Sequence, residues 1–254
     1  MKSKQGLMAS DELRLDFARK DRIGFEEAIL CPGKTKEHLD AILDQAAARD
    51  VTLLLTRMSA DQVAGLRPEH RELLDYEPLS RTAYFGARKV LDVARPARVA
   101  VVAAGTSDAF VTREIARTLL HAGEGSSMFV DVGLAGMWRV MERIETIARH
   151  PVVIVVAGMD AALPTVVGGL VGSVVFAVPT SNGYGVAAGG QAALHAVLAS
   201  CSPGLAVLNI DNGYGAACAA LRVLRAIDAA AEQARRATEA SASPEAAAAL
   251  ISEE

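Results

Sequence analysis

The 254-residue sequence has few aromatic residues and few cysteines. Phe, Trp and Tyr make up 4% of the chain and apolar residues 51%, so a sizeable core must be built mainly from Ala, Val, Leu and Ile. The three cysteines have no regular spacing, which argues against a disulfide framework and fits a reducing compartment. We therefore predict a cytoplasmic protein without structural disulfides.

A strong charge imbalance and long apolar runs are also absent. The formal net charge is −4, which does not suggest a nucleic-acid partner or an acidic membrane surface. Gly, Pro or Asp interrupts every apolar run before it reaches the length of a membrane helix, and the charged N-terminal segment has no signal-peptide core. We expect neither a membrane nor a nucleic acid among the partners.

The chain changes character near Pro96. Before this residue, charges are dense and the pattern predicts two helices with hydroxyl N-caps and two strands. These four elements lie within Thr35–Asp50, Ser59–Leu66, Val51–Thr56 and Pro78–Gly86. The sequence thus predicts a small α/β domain over residues 1–95 and a second domain over residues 96–254.

Short, nearly continuous apolar runs characterise the second domain. They read RVAVVAAG, SMFVDVG, VVIVVAGM, VVFAVPT and LAVLNID, and helical patterns such as DAFVTREIARTLLHAG and GMWRVMERIETIARH lie between them. Such runs are typical of strands that are buried on both faces, and the alternation with helices predicts a doubly wound parallel sheet. Ligands of such sheets bind outside the carboxyl ends of the strands, so those ends are where a site is expected.

Polar and glycine residues follow each of these runs. The candidate binding residues at the strand ends are Gly105, Thr106, Ser107, Asp108, Asp131, Asp160, Ser181, Asn182, Gly183, Tyr184, Asp211 and Asn212. Hydroxyls and N–H groups in the first loop, Gly105–Asp108, suit a phosphate or carboxylate, although plain helix capping is the commoner role of such residues. Glycines are dense in the loop that starts at Ser181, which favours a binding loop over simple helix packing. No G-x-G-x-x-G follows the first of these strands, and no P-loop, H-x-x-H or C-x-x-C spacing is present. The order of the residues alone does not assign a Ser/His/Asp triad.

Cys201 has two interpretations. A free cysteine is most often a small buried hydrophobic residue. However, Ser200, Ser202, Pro203 and Gly204 around it describe a turn, where a thiol is partly exposed and reactive as its thiolate. The residues by themselves leave both interpretations open.

Several long motifs in order resemble the LarB family. They are VVAAGTSDAFVTREIARTLL, DVGLAGMWRV, VVAGMDAALPTVVGGLV, AVPTSNGYGVAAGGQAAL and LASCSPGLAVLNIDNGYGAA, with CPGKTKEHL and EPLSRTAYFG upstream. The resemblance runs roughly from residue 20 to residue 225. It implies a C-terminal domain similar to the PurE-type aminoimidazole ribonucleotide (AIR) carboxylases, which have a flavodoxin-like three-layer fold and form octamers.

The resemblance also implies an activity, that of a pyridinium-3,5-biscarboxylic acid mononucleotide synthase. Such an enzyme carboxylates the pyridinium ring of nicotinic acid adenine dinucleotide with CO2 or bicarbonate, cleaves the phosphoanhydride and releases AMP. The product is the first intermediate of the nickel-pincer nucleotide cofactor. Cys201 occupies the position of the family's nucleophile, because an electron-poor ring reacts with CO2 only after a thiolate has added to it.

Other roles follow residue by residue from the same resemblance. Asp160 lies in GMDAALP where the family pattern has Glu, which makes it the matching base, one methylene shorter. Ser107 and Asp108 lie in the GTSD element, which implies contact with the substrate phosphate or carboxylate or with the incoming CO2. By the same resemblance, Asn182, Tyr184, Asp211 and Asn212 would line the dinucleotide or position a divalent cation. Phosphoanhydride cleavage favours Mg2+, whose protein ligands are not assigned, and no organic cofactor is expected. A homo-oligomer, an octamer by likeness to PurE, is expected as well.

Two other functions stay open from the sequence. An AIR carboxylase or mutase would share the fold and the Gly105–Asp108 loop but would not need a thiol. A non-catalytic nucleotide-binding module would bind ligand without releasing AMP.

Overall fold

The computed structural model describes residues 13–86 and 96–241. The predicted domain boundary at residues 95 and 96 adjoins a segment outside the described residues, and the predicted C-terminal tail after residue 241 also lies outside them. Among the described residues, no helix is long and apolar enough to cross a membrane.

The N-terminal region forms a four-stranded sheet with helices around it. Its elements are α1 (Arg19–Ile23), β1 (Ala28–Leu30), α2 (Lys36–Ala47), β2 (Leu53–Thr56), α3 (Ala60–Gly65), α4 (Pro68–Glu72), β3 (Leu74–Glu77) and β4 (Thr82–Phe85). The strand order is β1-β2-β4-β3, with β1 parallel and β4 antiparallel to β2. Helix α2 buries Leu39, Ile42 and Leu43 at helical spacing against this sheet. Thr35 and Ser59 cap α2 and α3, as the sequence predicts.

The second region is the predicted doubly wound sheet with the flavodoxin-like strand order. Its first elements are β5 (Val99–Ala103), α5 (Ala109–His121), β6 (Ser126–Phe129), α6 (Trp138–Met141), α7 (Ile144–Ile147) and β7 (Val152–Ala157). They continue with α8 (Ala162–Gly168), β8 (Val174–Pro179), α9 (Gln191–Leu198), β9 (Ala206–Val207) and α10 (Gly213–Ser241). The order β6-β5-β7-β8-β9 is parallel throughout.

Helices cover both faces of this sheet and give three layers. On one face, α5 and α10 pack on Val101, Ile154 and Val178. On the other face, α8 and α9 cover Val153 and Ala177. Strands β5 and β7 are buried at every residue, and each buried Val or Ile stabilises the fold by about 1.5 to 3 kcal/mol before the cost of ordering the chain.

Two expectations about these elements are wrong in part. The segment predicted as one helix after Gly136 forms the two single turns α6 and α7, which bury Val140 and Ile147 separately. Strand β9 has only two residues, although the apolar run LAVLNID predicts a longer strand. Strands β1 and β3 and helix α4 were not predicted, because short edge strands and single-turn helices contain too few residues to show a periodic pattern of apolar residues.

The two regions contact each other along α5. Tyr84 donates its hydroxyl to the carbonyl of Arg117 at 2.6 Å, and Arg117 in turn donates to Thr82 and to the carbonyl of Asp75. Arg113 forms an ion pair with Glu77 at 3.2 Å. Phe25 of the first region is part of the core between α5 and α10.

Candidate active site at the carboxyl ends of the parallel strands

A cleft of about 370 Å³ opens at the carboxyl ends of β5 and β7. The chain order reverses there, since β6 lies on one side of β5 and β7 on the other, and such a switch point is where doubly wound sheets bind ligands. Its predicted site residues are Gly105, Ser107, Asp108, Asp160 and Asn182, and backbone from Gly133–Ala135 and Gly158–Leu163 completes its walls. The volume lies within the range of small-molecule sites.

Asp108 holds the loop after β5 together from inside. Its side chain is 2% exposed, and its Oδ1 accepts hydrogen bonds from the Thr180 hydroxyl at 2.7 Å and the Asn182 amide at 3.0 Å. Its Oδ2 accepts the N–H of Gly105 at 3.0 Å. The carboxylate does not cap α5. Its hydrogen bonds connect the loop after β5 with the loop after β8. Ser107, by contrast, is exposed at the cleft.

Asn182 connects three strand-end loops. Its amide also donates to the carbonyl of Ser107 at 2.8 Å, and its own carbonyl accepts the N–H of Met159 at 3.0 Å. Gly158 permits this approach, because a Cβ there would lie 2.1 Å from the Asn182 carbonyl oxygen. The loops after β5, β7 and β8 therefore form one hydrogen-bonded rim around the cleft.

Asp160 stands at the mouth of the cleft between two strained residues. Met159 and Ala161 have φ angles of 54° and 44°, in the left-handed region that non-glycine residues rarely adopt. Helix α8 begins with Ala161 at the N-cap and has no side-chain cap bond, so Asp160 does not cap this helix. Its exposed carboxylate has no hydrogen-bond or ion-pair partner among the described residues. Strain of this kind is concentrated at functional sites.

The other predicted binding residues lie around the cleft rather than in its wall. Asp211 accepts the N–H of Ser181 on Oδ1 at 2.8 Å, and Asn212 accepts the N–H of Gly215 at the start of α10. Asp131 pairs with Arg139 at 2.8 Å. Tyr184 is 78% exposed. Thr106 and Gly183 belong to the same loops but are not among the residues that line the cleft.

Cys201 is the exposed cysteine of the three. Cys31 is buried, which raises the pKa of its thiol to about 12, and burial also raises the pKa of Cys218. A thiol with a raised pKa contributes little thiolate at neutral pH. The interpretation of Cys201 as a small core residue is therefore wrong, and its thiol alone has open access to solvent.

The same subunit does not bring Cys201 to the cleft. The residue lies between the end of α9 and the start of β9, which in a parallel sheet is the amino edge. The turn around it packs on α8, with Ser200 and Thr165 hydroxyls 2.7 Å apart and Ser202 against Gly168. Gly168 ends α8, roughly 9 Å along the helix from its start at 1.5 Å per residue. Cys201 and Asp160 are thus at opposite edges of the sheet.

Two functional candidates, Glu114 and Arg57, were missed from the sequence. Glu114 lies on the buried face of α5, 1% exposed, and its Oε2 accepts the N–H of Tyr214 at 3.2 Å. Burial raises the pKa of Glu114 to about 7, against the opposite effect of the positive charge of Arg57. A charged residue three positions after Val111 and one before Ile115, both apolar, was the signal available for it.

A protein-held cation does not fit the described residues. Among them, no three His, Cys, Asp or Glu side chains come together as a metal-binding group. In the cleft, Asp108 already accepts three hydrogen bonds, which leaves Asp160 as its only open carboxylate.

Two family models match the chain. A LarB/PurE-like N-terminal domain matches residues 9–87, and AIR carboxylase matches residues 98–244. The chain is also similar to an uncharacterized protein of Methanocaldococcus jannaschii, 33% identical over 213 residues that cover 81% of each chain. The AIR carboxylase match is of carboxylase type and covers the parallel sheet and its cleft. The chain belongs to the LarB family, with a LarB-type N-terminal domain followed by a PurE-like domain.

Proposed function

We propose that the protein carboxylates C5 of the pyridinium ring of nicotinic acid adenine dinucleotide and hydrolyses its phosphoanhydride. The products are pyridinium-3,5-biscarboxylic acid mononucleotide and AMP. The observation that carries the proposal is Cys201, the one exposed thiol of the chain, at the position that resembles the family's nucleophile. Carboxylation of an imidazole ribotide has no use for a thiol, whereas an electron-poor pyridinium requires one.

The reaction balances without an oxidant. The Cys201 thiolate adds to ring C4, and the ring nitrogen takes up the electron pair as a neutral dihydropyridine. C5 is then enamine-like and forms a bond to the carbon of CO2. Asp160 accepts the C5 proton, the C4–S bond breaks with return of the thiolate, and the pyridinium regains aromaticity. The net change is replacement of the C5 proton by a carboxylate.

The rim of the cleft supplies binding groups for this substrate. The Ser107 hydroxyl is exposed in the wall of the cleft. A hydroxyl of this kind can donate to the carboxylate or phosphate oxygens of a nucleotide. The Asn182 amide beside it already donates to the Ser107 carbonyl and to Asp108, so its role is to hold the loops together. Tyr184 has a ring exposed enough to stack on a base. Mg2+ would arrive with the substrate phosphates, and its requirement stays a prediction.

Two subunits would contribute to a complete site of this kind. Within one chain, Cys201 lies on the turn before β9 and is not among the residues that line the cleft with Asp160. Large apolar side chains are exposed near the cleft, with Trp138 at 63% and Val186 at 97%, and such exposure marks interaction surfaces. We propose that Cys201 of one subunit faces the cleft of another in a homo-oligomer.

Mass spectrometry tests the proposed reaction. Protein incubated with nicotinic acid adenine dinucleotide, bicarbonate and Mg2+ should yield AMP and a mononucleotide. This mononucleotide should be heavier than nicotinic acid mononucleotide by one CO2. With NAD instead, the thiolate adduct should appear as a dihydropyridine-like absorbance. Cys201→Ser should lose adduct and product, because a serine alkoxide is scarce at neutral pH and leaves poorly. Cys218→Ser, the matched control, should keep both.

AIR carboxylase activity is the second candidate, since that family model matches residues 98–244. Turnover of aminoimidazole ribonucleotide that survives Cys201→Ser would replace the proposed function with this one. Carboxylated pyridinium product from the Cys201→Ser protein would contradict the role of the thiol. Binding of the dinucleotide with no AMP release would leave a nucleotide-binding module.

A further inference from the structure

Arg57 brings the N-terminal region directly to the strand-end loops. It follows β2 with a φ of 54°, and its Nη2 donates to the carbonyl of Asp211 at 2.5 Å, across 154 residues of sequence. Asp211 itself has a φ of 57°. Two non-glycine residues in the left-handed region therefore meet at one hydrogen bond, and such conformations persist only where the surroundings hold them.

Asp211 connects this contact with the loop beside the cleft. Its N–H donates to the carbonyl of Pro179 at 2.9 Å, and its Oδ1 accepts the N–H of Ser181 at 2.8 Å. The next residue is Asn182, which bonds to Asp108 and to the N–H of Met159. Three hydrogen bonds, joined through Asp211 and the Ser181–Asn182 peptide bond, thus connect Arg57 with Met159, the residue that precedes Asp160.

The guanidinium also balances the charge around this path. It lies 6.0 Å from the Phe110 ring at the start of α5, and its charge acts on the buried Glu114 carboxyl. Glu114 Oε1 is buried without a hydrogen-bond partner, and Asp211 adds a second negative charge nearby. Arg57 therefore places a positive charge that acts on the buried Glu114 carboxyl, while its guanidinium is bonded to the backbone of Asp211.

We infer that Arg57 is a positioning residue, through which the N-terminal domain fixes the Asp211 loop and, with it, the Asn182 side of the cleft. The inference concerns a role of the N-terminal domain that the reaction itself does not require. The expected effect of Arg57 on kcat rests on the proposed function. The expected effect of Arg57 on the mobility of the Asp211 loop does not.

Hydrogen exchange of the substrate-free protein tests the expected effect on the mobility of the Asp211 loop. In Arg57→Gln, amides in peptides that cover residues 179–185 and 209–215 should exchange at least about tenfold faster than in wild type, because the loop loses its anchor. Arg113→Gln is the matched control, since it removes another arginine between the two regions, in an ion pair with Glu77. It should leave these peptides unchanged. If Arg57→Gln does not fold, Arg57→Met replaces it with the same interpretation.

Steady-state kinetics tests the expected effect on kcat. Arg57→Gln should lower kcat by about tenfold, because Asp160 is misplaced, and KM should change less than kcat, because the Ser107 hydroxyl lies on the separate loop after β5. Arg57→Lys should recover part of kcat. In the Arg57→Gln/Asp211→Ala double variant, the fold loss of kcat should be smaller than the product of the two single-variant losses. In the Arg113→Gln/Asp211→Ala double variant, the two fold losses of kcat should multiply.

The outcomes separate the two proposals. Unchanged exchange in Arg57→Gln, or a loss of melting temperature with wild-type kcat, would overturn the positioning role. Faster exchange in a protein that carboxylates no pyridinium would overturn the proposed function and leave the anchor intact.

Discussion

Asp108 and Asp160 are both carboxylates of one cleft, yet their surroundings differ completely. Asp108 is buried and accepts three hydrogen bonds, so its charge is compensated by fixed donors. Asp160 is exposed and lies between two strained residues. A base must be free to receive a proton, which fits Asp160, whereas a residue that connects two loops must not move, which fits Asp108.

Asp160→Asn should therefore keep dinucleotide binding and lower product formation by about 10² to 10⁴-fold, since the amide has the same size but accepts no proton. Calorimetric binding and product assays by mass spectrometry separate these effects. Asp160→Glu should retain activity, because Glu occupies this position in the family pattern. Asp228→Asn, an exposed acid on α10, serves as the control. Wild-type turnover in Asp160→Asn would move the base elsewhere.

Ser107→Ala and Asp108→Ala should have different effects on stability, because Ser107 is exposed and Asp108 is buried. Asp108→Ala leaves the donors of Thr180, Asn182 and Gly105 without their acceptor, so we expect a loss of about 2 to 4 kcal/mol in unfolding free energy together with lost activity. Ser107→Ala removes only an exposed hydroxyl. Its stability should change by less than about 0.5 kcal/mol, while KM rises. Urea unfolding and initial rates measure both. Equal destabilisation by the two variants would assign Ser107 a structural role as well.

At the level of elements, the sequence predicts what local signals encode. The caps of α2 and α3 and the buried runs of β5, β7 and β8 were predicted, because capping bonds and continuous apolar burial depend on neighbours in sequence. The segment of α6 and α7 was predicted as one helix, since two separate turns satisfy the same apolar spacing. The rule for parallel sheets also brought Asp108, Asp160 and Asn182 to one cleft.

Features that depend on packing between elements were not predictable. Whether Cys201 reaches the cleft depends on the path of residues 199–205, and no local pattern encodes that path. Arg57 and Glu114 act across an interface between the two regions. Their roles follow from contacts between residues that are more than 50 positions apart in sequence.

Glu114 makes the junction of α5 and α10 sensitive to pH. Its pKa is raised by burial to about 7 in the folded protein, above the ordinary value of 4.5. Between these values the folded state binds more protons than the unfolded state, so stability falls as pH rises and the loss is complete above pH 7. Glu114→Gln removes this dependence. The stability of Glu114→Gln relative to wild type should rise by about 2 to 3 kcal/mol between pH 4.5 and pH 8.

Urea unfolding of both proteins at several pH values measures this difference. Thr112→Val, on the same helix and also buried, controls for a general response of the α5 packing and carries no titrating group. A stability difference between Glu114→Gln and wild type that stays constant with pH would contradict the raised pKa.

At the scale of the whole molecule, the proposed shared site specifies how copies would meet. The turn that carries Cys201 precedes β9 and the cleft lies at the carboxyl ends of the strands, so in the proposed assembly these two surfaces of neighbouring subunits face each other. An interface of this kind would also cover the apolar side chains exposed near the cleft. A monomer in light scattering would exclude it.

Mixing two inactive variants tests the arrangement. Cys201→Ser subunits carry an intact Asp160, and Asp160→Asn subunits carry an intact Cys201. If every site takes one residue from each of two subunits, random mixing makes about one site in four complete, so activity should return to about a quarter of wild type. Subunit exchange is verified by native mass spectrometry of tagged chains, and each variant mixed with itself is the control. Exchange without recovered activity would mean that both residues act within one subunit, and would overturn the shared site.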